Sequence, residues 1–448
     1  MDPVLLARIQ FGLTISFHYI FPPLSIGLGV ILVLMEALYL KTRVPLFQQM
    51  TRFWARVFGL TFALGVATGV VMEFQFGTNW SHYARFVGDV FGSALAAEGI
   101  FAFFLESGFL AILLFGWDKV GPRMHMFSTV MVALGAHFSA VWIIVADSWM
   151  QTPAGFHIVQ SALRQRAEIV DFRAVVFNPS AMIRLAHTVL GAWQAAAFLV
   201  LSVSAYYLLK RRHLDFAKAS MRIGLAVAAI ASFGSLVTGH ESALVVSKHQ
   251  PAKLAAMEGH IPASAPAGLS LFGWVDEGRQ RFVGASVPGM LSYLVHGDAS
   301  KPVTGLQAFP PQDRPPVNPV FQAYHAMVGI GTGLLGLSLL GLLLWWRGSL
   351  FQTRWLLWVY VFAVLGPQAA NQLGWFTAEV GRQPWIVYGV MRTADAVSPM
   401  VSAGKILASL VLFLSVYLAL FILFVYLLDQ KIRHGPLADD LEVAYHEK

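Results

Sequence analysis

The sequence predicts an all-α integral membrane protein with about nine transmembrane helices, N-terminus outside and C-terminus in the cytoplasm. Three observations carry this. Hydrophobic residues make up 57% of the chain and charged ones 12%, with mean hydropathy +0.63, beyond what soluble domains carry. Apolar runs of about 20 residues recur, each long enough for ~30 Å of hydrocarbon. They lie near 10–40, 54–76, 95–116, 127–149, 183–209, 220–239, 321–346, 355–378 and 404–428. Basic residues cluster in alternate connections: Lys41, Arg43, Arg52 and Arg56; Lys119 and Arg123; Lys210, Arg211, Arg212 and Lys218; Arg347 and Arg354; Lys431 and Arg433. All fall on one side if the N-terminus is outside, the positive-inside pattern. The net charge of +7 therefore reports topology, and nucleic acid is not an expected partner.

The chain reads as a single membrane domain, 1–448, with an extracytoplasmic loop at 240–319 between spans six and seven. Leu5–Leu40 follows no basic n-region or small-residue cleavage site, so it reads as a retained span. The chain has no cysteine. That excludes disulfides, iron–sulfur clusters and thiolate-ligated haem, and leaves His, Met and carboxylates as candidate ligands.

The first span carries His18, followed by Pro22-Pro23. Pro22 has no N–H for the His18 carbonyl, so the helix should kink or open there. A histidine beside a kink can coordinate metal as neutral imidazole or bond a neighbouring helix. The second span ends in Met72-Glu73-Phe74-Gln75, where Glu73 is either an interfacial carboxylate or part of a site. The third holds Glu98 and Glu106 in an otherwise apolar run. Each ionised carboxylate at mid-span costs about 2.5–3.5 kcal/mol on insertion scales. Helical geometry puts the two about 12 Å apart along the axis and ~80° apart around it, on one broad face. Carboxylates at graded depth suit proton transfer, and at that cost this reading is preferred to simple helix–helix hydrogen bonding.

The fourth span contains His137, Ser139, Trp142 and Asp147, with His137 expected as a core or interhelical residue. The connection 150–182 is expected to be a solvated connector. His187 lies near the outer end of the fifth span and Met327 near that of the seventh. Methionine among apolar residues is more often packing than ligand. The loop from about Gly239 to Asn318 is rich in Pro, Gly and Ala, and such loops are usually disordered or functional. Its Lys253 and Glu258 are either solvated charges or working groups. The eighth span closes on Trp375, Glu379, Arg382 and Trp385. Tryptophan there is ordinary interfacial chemistry, but a carboxylate and a guanidinium at membrane depth tend to mark sites. Glu379 and Arg382, at i,i+3, can pair. The ninth span reads as a lipid-facing helix, and the tail after Asp429 as a polar end.

Six strings resemble subunit I of the cytochrome bd quinol oxidases: RIQFGLTISFHYIFPPLSIGL, GVATGxxMEFQFGTNW, AxEGxxAFFLES, RLAHTV, KLAAxE and GWFxxExGRQPW. The likeness covers most of the chain and is weakest in 150–180, 260–318 and the tail. It implies haem iron ligated by His18, by His187 with Met327, and by Glu379, with Arg382 and Trp375 in the haem surroundings. The cofactors would be two b-type haems, one low-spin on His187/Met327 and one high-spin, and a d-type haem. His18 and Glu379 would hold the high-spin pair, in an order left open. Lys253 and Glu258 would serve quinol oxidation, and Glu106 then Glu98 would pass cytoplasmic protons to oxygen reduction. Proton motive force would follow without pumping. The loop is of the short type, with some members called cyanide-insensitive. The family often has arginine where His325 stands, and His325 could take over contact with a haem propionate.

The likeness further implies a bacterial inner-membrane location, a second membrane subunit, and in some members a small single-span one. Ubiquinol and menaquinol both stay open as substrate. A haem b electron-transfer subunit without oxygen reduction is the alternative function. A proton-coupled transporter would carry inverted repeats, and none is visible.

Overall fold

The computed structural model describes residues 2–161 and 164–436. The chain's C-terminal end, expected in the cytoplasm, lies outside them. The first span is two helices, α1 (Pro3–His18) and α2 (Pro22–Thr42). The break falls where Pro22 and Pro23 cannot donate to the preceding turn, and Phe21 N–H closes it on the His18 carbonyl at 3.1 Å. Then come α3 (Pro45–Thr78), the short α4 (Ser81–Phe86), α5 (Gly88–Glu98) and α6 (Phe104–Phe115). Between the last two, Gly99–Phe103 forms a π-helical turn, a rare feature that often occurs at functional positions. It falls between Glu98 and Glu106, so their angular offset is not the one ideal α-helix spacing gives.

Next are α7 (Pro122–Gln151), the hairpin β1–β2 (Phe156–Ser161 and Arg164–Ile169), α8 (Phe172–Val176), α9 (Ala181–Lys210) and α10 (Leu214–His249). The long loop follows with α11 (Pro251–Met257), the antiparallel hairpin β3–β4 (Leu269–Asp276 and Arg281–Val287) and α12 (Met290–His296). The chain finishes with α13 (Val317–Trp346), α14 (Arg354–Ala363), α15 (Leu365–Val380), the small hairpin β5–β6 (Trp385–Val387 and Met391–Arg392) and α16 (Ala403–His434).

Among the described residues, eight helical stretches are long and apolar enough to cross a membrane. They match eight of the expected spans. The remaining one, 355–378, falls on α14 and α15, which meet at Val364. Pro367 lacks the N–H that would bond the Ala363 carbonyl, so a continuous helix cannot run through.

The main core lies where α2, α3, α9 and α10 meet, around Trp54, Phe58, Phe198 and Tyr207. A second cluster (Trp80, Tyr83, Phe91, Trp149, Val387) closes the bundle at the end carrying the long loop. As expected, α16 is largely exposed and apolar, with Leu412, Leu418 and Ile422 about 60% accessible.

Two connections depart from the sequence reading. The 150–182 segment is a hairpin and short helix rather than a plain connector. The Pro/Gly/Ala-rich loop is folded on its own core of Ala255, Met257, Ile261, Val275, Leu306 and Phe321. Asn318 of α13 fixes it by accepting from Val275 N–H at 2.9 Å and donating to the Val275 carbonyl at 2.8 Å. One side chain thereby mimics a ladder partner for β3, which composition cannot reveal.

Candidate functional site

His18 is the last residue of α1, and its Nδ1 lies 2.9 Å from Thr68 Oγ1 on α3. The α1–α2 break exposes this end of the helix to α15. There Gln372 donates to the Ser16 carbonyl at 2.8 Å, and Trp375 meets Tyr19 edge-on with ring centroids 5.4 Å apart. Trp375 also lies under the Arg184 guanidinium, 5.9 Å away. Trp375 therefore stands between the surroundings of His18 and those of His187.

His187, in the second turn of α9, sets its Nδ1 2.9 Å from Thr238 Oγ1 on α10. Its depth can be compared with that of Met327. α9 and α15 touch where Asn371 donates to the Gly191 carbonyl at 3.4 Å. His187 is one helical turn from Gly191, and Gly374 is about one turn from Asn371 towards the same loop end. The Met327 sulfur packs on Gly374, where an added Cβ would lie 3.0 Å from it. The two sulfur and imidazole donors thus sit at one level, flanking α10, which packs against both α9 and α13.

Glu379, at the end of α15, is the centre of an ionic network. It pairs with Arg382 one turn on and accepts from Gln151 Nε2 at 2.8 Å. Gln151 Oε1 accepts in turn from Lys253 Nζ at 2.5 Å. Asp147 accepts from Arg184 at 2.5 Å and lies 3.9 Å from Arg382. One carboxamide thus links the loop's lysine to a carboxylate at the membrane helix end. Lys253 is 2% exposed rather than solvated. Burial, then the charges of Arg184 and Arg382, push its ammonium well below the usual range, with Glu379 and Asp147 acting against them. A small cleft of about 30 Å³ opens beside this network, lined by the apolar Ile183, Val245 and Val246 as well as by Gln151, Arg184 and Gln250.

Glu258 is also buried, 2% exposed, with Oε2 lacking a hydrogen-bond partner among the described residues. Burial pushes its carboxyl up to about 7, although the Ser270 backbone and the Tyr324 hydroxyl draw it down. Lys253 lies in the first turn of α11 and Glu258 caps its C-terminal end, so one short helix carries both into the interior.

Glu106 is buried (6% exposed), its backbone against Gly135 of α7, where a Cβ would come within 3.0 Å of Glu106 Cα. Only glycine permits that approach. One turn further along α7, Ser139 donates to Glu98 at 2.9 Å. The two carboxylates therefore share α7 as a wall.

His325 uses both ring nitrogens on backbone carbonyls, Phe321 and Ser270, each at 2.9 Å. It ties α13 to β3, and neither nitrogen faces outward for a propionate. His137 is an interhelical residue as expected: Nδ1 meets the Ala133 carbonyl at 2.7 Å and Nε2 accepts from Trp193 at 2.9 Å. Sequence reasoning left Gln151, Asp147, Arg184, Ser139, Thr68 and Thr238 without roles. Arg184 and Asp147 carried a signal as charges in apolar runs; Gln151 and the threonines carried none.

The donor set suits haem. Among the described residues no three His, Cys, Asp or Glu side chains gather as for a bare ion. Donors stand singly or in twos, the pattern of axial ligation to an iron held by a macrocycle. Among the described residues the buried Nε and Nη1 of Arg382 and Nε of Arg184 have no hydrogen-bond partner, and guanidinium donors of that kind fit propionate carboxylates.

Taken together, a multi-span helical bundle with isolated His, Met and Glu donors beneath a folded loop defines a membrane redox protein. The model of the cytochrome bd terminal oxidase subunit I family matches residues 6–436, and the chain belongs to that family. It is 39% identical to cytochrome bd ubiquinol oxidase subunit 1 of Bacillus subtilis, over 98% of this chain and 96% of that one. Identity is 35% to cytochrome bd-II ubiquinol oxidase subunit 1 of Escherichia coli, covering 98% of each. It is 32% to the putative cytochrome bd menaquinol oxidase subunit I of Bacillus subtilis, covering 99% and 100%. The solved structure of bd oxidase from Geobacillus thermodenitrificans superposes with a TM-score of 0.89 at 30% identity, covering 97% of this chain and 99% of that one. The chain is thus a subunit of a bacterial inner-membrane quinol oxidase, an oxidoreductase.

Proposed function

We propose that this subunit oxidises quinol at its long loop and reduces oxygen to water within the bundle, with three haems held by its own side chains. His187 and Met327 would hold a low-spin b-type haem. His18 and Glu379 would hold a high-spin b-type haem and a d-type haem. Bound there, these groups supply one-electron transfer and an iron that reduces oxygen.

The side chains do the rest. Glu258 takes a proton from the quinol hydroxyl as general base, which its elevated carboxyl suits near neutral pH. Lys253 orients the headgroup. In the low-spin assignment Met327 and His187 would both be ligands to one haem, a donor pair that favours electron transfer over oxygen binding. Glu106 and Glu98, sharing the α7 wall, hold and pass protons from the opposite side of the membrane. Protons released outside and consumed from the cytoplasm separate charge without a pump. The loop then faces outward, a placement that the clustering of basic connections on the other side supports. A second membrane subunit, with or without a small single-span one, completes the complex. The relatives' names include both ubiquinol and menaquinol oxidases, and the reading covers a quinol of either class.

The observation that carries this reading is the buried relay Lys253–Gln151–Glu379, which joins the loop segment to a proposed haem ligand through two hydrogen bonds. The test is a dithionite-reduced minus oxidised spectrum of the purified complex, repeated under carbon monoxide. Red-region chlorin absorption, with a CO-sensitive fraction beside a CO-insensitive b haem, is expected. Only CO-inert b haem would leave an electron-transfer subunit, and no haem at all would overturn the reading.

A further inference from the structure

Two sites far apart in sequence repeat one arrangement. His18 Nδ1 lies 2.9 Å from Thr68 Oγ1, and His187 Nδ1 lies 2.9 Å from Thr238 Oγ1. Each threonine sits inside a different helix and bonds back one turn, Thr68 to the Leu64 carbonyl at 2.7 Å and Thr238 to the Gly234 carbonyl at 2.8 Å. A hydroxyl has one hydrogen. With that hydrogen committed to the carbonyl, the oxygen can only accept from the histidine. Nδ1 therefore carries the ring proton and Nε2 carries the lone pair.

The next residue is glycine in both cases. An added Cβ at Gly69 would lie 3.3 Å from His18 Cε1, and one at Gly239 would lie 3.4 Å from His187 Cε1. A side chain at either position would crowd the imidazole edge, so glycine leaves room for the ring orientation that the threonine bond sets. The two sites share no residue. His137 provides the contrast within the same bundle, since both its nitrogens are spent on protein partners.

We propose that Thr68 and Thr238 are positioning residues that hold His18 and His187 as Nδ1–H tautomers with Nε2 presented to iron. This rests on the assignment of those histidines as haem ligands. The partner of a ligating imidazole is usually a carboxylate, carbonyl or water, and it sets ligand basicity. A neutral hydroxyl oxygen is a weak acceptor, so it orients the ring while keeping the imidazole far from imidazolate. Two haem sites with the same acceptor are tuned alike from the histidine side.

The experiment uses the whole oxidase complex with Thr238→Val, Thr68→Val and the matching serine variants, beside His187→Ala and His18→Ala. Loss of the partner is expected to weaken haem retention roughly ten- to a hundredfold. Where haem stays bound, its midpoint potential should rise, because a ligand without its acceptor donates less to ferric iron. Thr238→Val should move the CO-insensitive haem alone, Thr68→Val a high-spin haem alone, and both serine variants should behave as wild type. If the alanine variants keep every haem, the ligand assignment itself falls. If they lose haem while the valine variants keep wild-type content and potentials, the threonine inference falls. The unaltered protein offers a test that does not depend on variant folding. Pulsed electron spin resonance of the oxidised low-spin haem should find an exchangeable proton on the non-ligating nitrogen of His187. A ligating Nδ1 would overturn the proposal.

Discussion

Lys253 Nζ and Gln151 Oε1 stand 2.5 Å apart, and both residues are buried to within 2% of full exclusion from solvent. Gln151 is also the residue whose amide donates to Glu379. A single uncharged side chain thus separates a loop cation from a membrane carboxylate, each end satisfied by the correct half of the carboxamide. Replacing Gln151 with Leu strands both. A buried group left without its charged or polar partner costs about 1.5–3 kcal/mol. Gln151→Leu should lower quinol oxidase activity more than tenfold while leaving the haem proposed for His187 spectrally intact. Steady-state oxygen uptake with a soluble quinol, set beside the reduced spectrum, checks this.

Glu258 gives the pH dependence a sign. Its carboxyl is raised to about 7 by burial, so below that pH it is protonated and cannot accept from quinol. The quinol-dependent kcat/KM should fall about tenfold per pH unit on acidification below about 7, and Glu258→Gln should be slow and flat. Stability runs the other way. The folded state holds this proton more tightly than the unfolded chain does, so stability declines as pH rises from about 4 to about 7. Glu258→Gln should therefore stabilise the detergent-solubilised complex at pH 8, by up to about 3 kcal/mol, and leave it unchanged near pH 4. A destabilised variant at pH 8 would refute the burial argument.

The carboxylates along α7 predict a split between first turnover and steady state. Glu106 is packed on Gly135 and Glu98 accepts from Ser139. Removing the Ser139 hydroxyl costs Glu98 one hydrogen bond, about 0.5–1.5 kcal/mol. Ser139→Ala should slow turnover severalfold. Glu106→Gln removes a proton carrier and should reduce steady-state oxygen consumption at least a hundredfold. Reduction of the enzyme by quinol, followed by stopped flow, should be unaffected, because in the proposed mechanism its protons leave on the loop side.

Much of this was legible in the sequence, for reasons that can be separated. Apolar runs and basic connections report solvent, and they located the spans because hydrocarbon tolerates little else. Pro22 announced the α1 break through a missing donor. Pro367 gave the same signal within 355–378, yet the run's length made it read as one helix. Glu98, Glu106, Glu379 and Arg382 stood out because charge at membrane depth is costly. Gln151, Thr68 and Thr238 did not, since neutral polar residues are ordinary in helices and only their partners give them meaning. The loop's order was hidden for a similar reason: Asn318 and the Val275 backbone meet across 43 positions, a relation without local periodicity.

His137 tests whether an intramembrane histidine is a ligand merely by being there. Its Nδ1 faces the Ala133 carbonyl and its Nε2 accepts from Trp193, so neither nitrogen remains for iron. His137→Phe should remove one hydrogen bond within α7 and the one that joins α7 to α9, leaving the Trp193 indole unpaired and costing about 1–3 kcal/mol of stability. The purified variant should melt at lower temperature and keep its full haem complement by pyridine haemochromogen assay. Loss of one haem would contradict the geometry.

Arg382 separates charge from shape. It is 3% exposed, pairs with Glu379 through Nη2, and among the described residues its buried Nε and Nη1 have no hydrogen-bond partner, Nη1 lying 3.9 Å from Asp147. Lysine would preserve the charge, yet it is a single point donor where guanidinium is a planar fork. If the arginine only neutralises Glu379, Arg382→Lys should be nearly silent. If its remaining donors bind a haem propionate, as the orphaned nitrogens imply, lysine should fail almost as badly as leucine, with loss of a CO-binding haem from both. Haem stoichiometry and the CO-difference spectrum of the two variants decide between these. A lysine variant with wild-type haem content would reduce Arg382 to a counter-ion, and the propionate contact would have to be sought at Arg184.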